Sequence, residues 1–262
     1  MPYEFHSALD TGRQRSNNED AVALDPECGL AVLADGMGGY NAGEVAAGMA
    51  TAFIHAEFGR WLREAGDRVA EQELARAMDI CVDNANRAIY NAANAEPRYS
   101  GMGTTLVVAA FRAGEVTVGH VGDSRAYRLR GGRLQQITRD HSLLQEQIDA
   151  GLISPEQAAF STQKNLVTRA VGVEDTVMLE THAHEVQPGD LYLLCSDGLS
   201  DMLPDPVIGN LLVSTTGGLP DVARALIAAA NEAGGRDNIS VVLVRAPGSA
   251  PGAGRSWWPF GR

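Results

Sequence analysis

Residues 31–46 read AVLADGMGGYNAGEVA. The apolar run Ala31–Ala34 ends on a lone carboxylate, Asp35, three of the next four residues are glycine, and the chain then takes up helical spacing. Working outward, AVALD and GLAVLAD flank PECG as the arms of a hairpin, which puts Asp35 at a strand mouth. From Gly43 to about Ala65, Val45, Met49, Phe53, Ile54, Phe58, Trp61 and Leu62 recur at helical spacing, and Gly66 supplies a stop. A second helix is expected over about 68–95, and a strand over residues 3–11. Residues 104–142 hold several short strands, with turns at Arg112-Ala113-Gly114 and Gly131-Gly132. Two short helices broken at Gly151 follow over 140–165, then strands at 190–197 and 238–246 with a helix near 219–233 between them. Strand runs interleaved with long helix pairs predict an α+β domain whose antiparallel sheets are covered by helices. From Ala246 the chain is rich in Pro, Gly and Ser and ends in the aromatic patch Trp257-Trp258-Pro259-Phe260, read as a flexible tail.

At 262 residues, 45% hydrophobic and 21% charged, the chain is long enough to bury a full core. No apolar stretch reaches the roughly 18 residues of a membrane span, and MPYEFHSALDTG carries no secretory pattern. Three cysteines (Cys28, Cys81, Cys195) without a CxxC pair argue against zinc and a disulfide framework, and a reducing, cytoplasmic setting is expected. A net charge of -12 argues against nucleic acid, which is bound by neutralising phosphates with Lys and Arg. The excess acid fits either a solvated surface or a cluster made tolerable by bound cations.

The placement of the acids favours the second reading. Asp123 stands at a strand end beside Gly122, Asp197 precedes Gly198, Asp237 follows Gly234-Gly235, and Glu19-Asp20 opens the strand AVALD. Any one Asp-Gly is most often a turn. If the strands pair so that these ends meet, the carboxylates converge with no lysine among them, and such repulsion persists only around cations. All-oxygen ligation selects hard ions, Mg²⁺ or Mn²⁺. Glycine beside each Asp lets the backbone turn sharply and brings a main-chain carbonyl close. Arg15, four and five residues before the acidic pair, is placed to hold a phosphate bidentately.

Other motifs fail on inspection. The glycine stretch has Asn41 where a dinucleotide fingerprint needs its third glycine, and Glu44 where a P-loop needs lysine. There is no GxSxG or HExxH. Asp140-His141-Ser142 are sequence neighbours, which do not make a triad. His182 and His184 read as surface residues. Arg125, Arg128, Arg130 and Arg133 read as a solvated edge, with Arg125 the structural exception.

RSNNEDA (15–21), LADGMGG (33–39), GMGTTL (101–106), VGDSRAY (121–127), TRDHS (138–142), NLVTRAVG (165–172), CSDGLSD (195–201) and GRDNISVVLV (235–244) follow one another as in the PPM family. These are the PP2C-type metal-dependent protein serine/threonine phosphatases, and the bacterial branch is the closer likeness. The resemblance covers about residues 3–246. It implies a four-layer αββα sandwich in a 1–246 domain, a flap over 141–168, and a 247–262 tail outside it. It also implies a centre of two Mn²⁺ or Mg²⁺ ions with a weaker third. By motif, Asp35 resembles the bridging carboxylate with the Gly36 carbonyl beside it, and Asp197 and Asp237 resemble ligands of the other ion. Glu19 and Asp20 resemble the acidic pair that binds or orients metal waters, Asp123 with Asp197 the third site, and Arg15 the phosphate-binding arginine. Gly38, Gly39 and Asn238 are expected to shape the surroundings.

The implied reaction is direct in-line attack on phosphoserine or phosphothreonine by a water shared between ions, with no phosphoenzyme. The implied partners are phosphoproteins and a cognate Ser/Thr kinase, with no nucleic acid and no membrane span, and the enzyme is expected to be a monomer. One departure is Met37, which stands where some relatives carry a histidine proposed as general acid. Rival readings on the same fold are a pseudophosphatase that binds phosphoproteins without turnover and a phosphatase dedicated to one regulator.

Overall fold

The computed structural model describes residues 3–39, 42–66, 69–158 and 166–248, with the side chains of residues 155 and 156 left aside. The opening strand runs Leu30–Met37 (β3) and pairs antiparallel with Asp20–Asp25 (β2) in a register that sets Asp20 opposite Asp35. On its other side lie Leu106–Arg112 (β5), Glu115–Val121 (β6) and Glu180–Glu185 (β9), and the short Gly103–Thr104 (β4) pairs antiparallel with β3 at Gly36 and Met37, just past Asp35. The second sheet places Glu4–Asp10 (β1), Ile239–Arg245 (β11), Leu191–Cys195 (β10), Arg125–Arg130 (β7) and Arg133–Gln136 (β8) side by side in that order. Every pairing is antiparallel.

The sheets are covered on both faces, so their central strands read as unbroken apolar runs instead of alternating ones. Along β3, Leu30, Val32 and Ala34 face the outer helices Ala42–Phe53 (α1) and Glu71–Ala95 (α3), while Ala31 and Leu33 pack between the sheets. Along β11, Ile239, Val241 and Leu243 face the helices Asp205–Ser214 (α7) and Leu219–Glu232 (α8), and Val242 and Val244 turn inward. Phe111 and Tyr192 meet edge-on in the inter-sheet core, their centroids 5.2 Å apart. The result is the four-layer αββα arrangement.

The first long helix continues past Phe53 through a π-helical stretch, Ile54–Phe58, into Gly59–Ala65 (α2). Widening the turn keeps Ile54, Phe58 and Leu62, spaced four apart, on the buried face. The helical reading of 140–165 is met by Leu143–Asp149 (α4) and Pro155–Ala158 (α5), while 159–165 lie outside the described residues. Most of the proposed tail, including Trp257-Trp258-Pro259-Phe260, also lies outside them. The helix α7 has no clear helical spacing in the sequence, because Pro206 and Gly209 interrupt it, and of its side chains Ile208 and Leu212 are buried. The arginine hairpin is less solvated than expected. Arg125 lies on Asp140, and Arg130 chelates the buried Asp190 at 2.8 and 2.6 Å, so two of the four arginines are structural.

Candidate active site

Both sheets deliver carboxylates to one end of the sandwich. Asp35 comes from β3; Asp197 opens the short helix Asp197–Ser200 (α6) just after β10; Asp237 sits two residues before β11; Asp123 follows β6. Together with Arg15, Glu19, Gly36, Met37, Gly38, Thr105 and Val167 they line a pocket of about 260 Å³. Segments as far apart as residues 15 and 237 are thereby gathered at one place.

Local hydrogen bonds fix each acid. The Asp35 N–H donates to Thr105 Oγ1 (3.1 Å), and its carbonyl accepts from the Thr105 N–H (2.9 Å) and Thr104 Oγ1 (2.9 Å). Asn238, 4% exposed, is the hub of the opposite wall. Its side chain accepts from the Glu19 N–H (2.8 Å) and donates to the Thr11 and Asn17 carbonyls (3.0 and 2.9 Å), while its own N–H donates to Asp237 Oδ1 (2.8 Å). Asp20 does not line the pocket. It lies buried behind it, where Oδ2 accepts from Ser196 Oγ (2.8 Å) and Oδ1 has no partner. Arg15 donates to Asp237 Oδ2 at 2.6 Å with its side chain half exposed, so part of its guanidinium fork is already engaged.

Gly36 and Gly198 serve close approach: a Cβ on Gly36 would collide with the Gly43 carbonyl, and one on Gly198 with the Asn238 carbonyl, and neither glycine has a positive φ. The expected sharp turns are found beside the other two acids, where Gly122, Gly234 and Gly235 all take positive φ. Gly39 stands clear, since a Cβ there would touch nothing within 4 Å.

The electrostatics of the pocket are those of crowded carboxylates. Burial, then the charges of Asp20, Asp197, Asp123 and Asp237, hold the Asp35 carboxyl well above its usual range. Burial, then Asp123, Asp201 and Asp237, do the same to Asp197. Burial and Asp140 push Asp123 up to about 6. Burial also raises Asp20, while the hydrogen bond from the Ser196 hydroxyl pulls it back. Arg15 is the one cation among the described lining residues. An all-oxygen donor set with mutually raised carboxyls and an orphaned buried oxygen, Asp20 Oδ1, fits hard divalent ions. Asp201, passed over in the sequence, lines a neighbouring cleft with Asp123, Asp140 and Asp197. The signal was its place four residues after Asp197, one helical turn away.

A second group of ligand-type side chains adjoins the pocket. His120, His141 and Glu180 bring their ligating atoms within 4.8 Å of one another. Three of its four ring nitrogens already have hydrogen-bond partners. His141 Nδ1 accepts from the Gly122 N–H (3.1 Å), which leaves the proton on Nε2, facing Glu180 (3.2 Å). His120 Nε2 meets the Arg139 carbonyl at 2.7 Å. His182, expected without an acidic partner, donates to Glu180 at 2.9 Å because both project from the same side of β9. Burial alone would raise Glu180, but the His182 and His141 hydrogen bonds bring it down to about 2. With His141 Nε2 protonated, the cluster is a staple tying the Asp123 loop to β9 and not an ion cage.

Residues 11–237 match the family described as Protein phosphatase 2C. The chain is 38% identical over 247 residues to the serine/threonine phosphatase stp of Listeria monocytogenes, covering 93% of this chain and 95% of that one. It is 40% identical over 245 residues to the serine/threonine protein phosphatase PstP of Mycobacterium tuberculosis, covering 91% of this chain and 44% of that longer protein. The crystal structure of the M. tuberculosis phosphatase PstP/Ppp superposes with a TM-score of 0.83 at 36% identity, over 94% of this chain and all of that one. The PstP catalytic domain in complex with two manganese ions gives 0.80 at 37% identity, over 93% and 98% of the two chains.

Proposed function

Because the chain belongs to the protein phosphatase 2C family, we propose that its acidic pocket is where the phosphoester of a protein substrate is hydrolysed, with Asp35, Asp197 and Asp237 as the principal metal ligands. The chain is a metal-dependent protein serine/threonine phosphatase that uses Mn²⁺ or Mg²⁺. The observation that carries the site assignment is the convergence of four aspartates from both sheets, with Arg15, on one pocket.

When bound there, the ions supply Lewis-acid chemistry, lowering the pKa of water and offsetting charge on the phosphoryl oxygens. The chain's own groups do the rest. Asp35 and Asp197 present carboxylates held unfavourably close, so they are preorganised for cations. Glu19 is aimed into the pocket by Asn17 (3.3 Å) and by Asn238, and Asp123 with Asp197 forms a further anionic edge for a third ion. Asp20, behind the wall, acts by orienting what lies in front of it through the Ser196 bond. Arg15 spends one N–H on Asp237 and keeps the remainder of its five donors for the phosphoryl group. Met37 lines the pocket without a proton to give, so no side chain at that position protonates the leaving alcohol.

The substrates are phosphoproteins made by a cognate Ser/Thr kinase, and the setting is cytoplasmic; among the described residues no helix is long and apolar enough to cross a membrane. The test is metal-stripped protein assayed on phosphoserine, phosphothreonine and phosphotyrosine peptides before and after adding Mn²⁺ or Mg²⁺, alongside Asp35→Asn. Turnover of phosphoserine and phosphothreonine is expected only with metal and is lost in the variant. Activity that survives complete metal removal, or a fully active Asp35→Asn, would refute the assignment.

A further inference from the structure

The acidic pocket opens on one side into a larger cleft of about 490 Å³, and the two share Met37 and Val167. The chemistry of the cleft is the reverse of the pocket's: Val173, Val177 and Met178 line it, with Arg169 and Glu174 as its one cation and one anion. Val173 is 49% and Met178 68% exposed, and Leu166, 50% exposed, stands next to Val167. Exposed apolar groups gathered at one concavity, instead of scattered singly, mark a binding surface.

The wall of this cleft is held in place before anything binds. Residues 172–179 form no regular element, yet the fully buried Asn86 of α3 accepts from the Gly172 N–H (2.6 Å) and donates to the Glu174 carbonyl (3.0 Å). Thr104 and Val171 exchange backbone hydrogen bonds at 3.0 and 2.8 Å just before it. Val173 and Met37 both close over Gly103, which has no room for a Cβ beneath Val173. Met37, which has no proton to donate, therefore serves as the apolar sill between pocket and cleft, a role suited to an adaptable thioether.

Resting on the phosphatase reading above, we infer that the cleft seats an apolar side chain of the substrate protein, so that the enzyme selects segments in which a hydrophobic residue flanks the phosphorylated one. The phosphoryl group must sit beside Arg15 and the carboxylates, and an extended chain advances about 3.3–3.6 Å per residue. Residues two or three places from the phosphorylated one thus pass over the sill into the cleft. The other adjoining concavity also carries Leu144, Ile148 and Ala158, but Asp123, Asp140, Asp197 and Asp201 line it with Arg125 as the one cation, so it suits an apolar group less well.

The experiment uses the metal-loaded full chain, phosphothreonine peptides carrying Leu or Ser two and three residues to either side, and a small aryl phosphate. The variants are Val173→Asp and Met178→Asp; both positions are exposed, and two variants guard against one that fails to fold. The native enzyme is expected to favour the Leu peptide by about tenfold or more in kcat/KM. Both variants should erase that preference while aryl phosphate turnover stays unchanged. Equal turnover of the Leu and Ser peptides by the native enzyme, or variants that keep the preference, would overturn the inference. Failure of the native enzyme on the aryl phosphate as well would overturn the phosphatase reading, and this inference with it.

Discussion

Neutralising Asp123 should make the metal-free protein more stable. Asp123 is 8% exposed, and burial, then the charge of Asp140, raise its carboxyl from 3.8 to about 6. The folded chain therefore binds this proton more tightly than the unfolded chain. Stability falls as pH rises from the unfolded value through the folded one, and then levels off. Two pKa units correspond to about 3 kcal/mol of destabilisation once the group is ionised in both states. Asn keeps the shape and removes the charge. In EDTA near neutral pH, Asp123→Asn should gain up to that amount, roughly 6–12 °C in Tm for a chain of this size. By about pH 5 the gain should shrink to roughly half, since the folded carboxyl is then mostly protonated. Saturating Mn²⁺ should narrow it as well, because an ion offsets the charge that the substitution removes. Thermal unfolding followed by circular dichroism under these three conditions reads the effect. A variant no more stable than the native chain in EDTA, or a gain that does not vary with pH, would refute the electrostatic account of the pocket.

Two further outcomes follow from the packing. Gly198→Ala should lose roughly 2 kcal/mol or more in urea unfolding, because its Cβ meets the Asn238 carbonyl, whereas Gly39→Ala should unfold like the native chain. Burial keeps the His120 and His141 imidazoles below their usual pKa, so each contributes stability that is complete above about pH 6.5 and is lost as pH falls through its lowered value. His141→Gln should flatten that acid-side loss relative to the native chain in Tm measured from about pH 7.5 to 5; identical pH profiles would show that the imidazole is not the group responsible.

Much of the fold was legible because its strands are short, bounded by glycine and separated by marked turns: the β2–β3 hairpin, the turns before Glu115 and Arg133, and the edges of β10 and β11 fall where the pattern puts them. What escaped was set by contacts distant in sequence. Nothing near Asp201 says that Asp123 lies across from it, and nothing near Thr105 says that its hydroxyl accepts from Asp35 and meets Ser124 at 2.7 Å. Asn86, in the middle of an amphipathic helix, gives no sign in its neighbours that both ends of its amide anchor a loop 86 and 88 residues away. Asp20 shows the limit from the other side. Its motif joins it to Glu19, but Glu19 stands just outside β2, which begins at Asp20, and of the two only Glu19 lines the pocket while Asp20 is buried.

The position of the site follows from the topology. Asp20 and Asp35 are a cross-strand pair in one sheet, and Asp197 and Asp237 leave and enter neighbouring strands of the other, at the same end. Packing the sheets face to face to bury Leu33, Val107, Tyr192 and Val242 therefore forces these carboxylates together whether or not an ion is present. Hydrophobic burial is what holds the charges in their unfavourable arrangement, and the raised carboxyls of Asp35, Asp197 and Asp123 are the trace of it. On the site assignment proposed above, neutral residues at these positions would leave a sandwich with less internal repulsion and a weaker hold on divalent ions. On that assignment the repulsion and the capacity to bind metal have one origin, so a substitution that relieves the first should weaken the second.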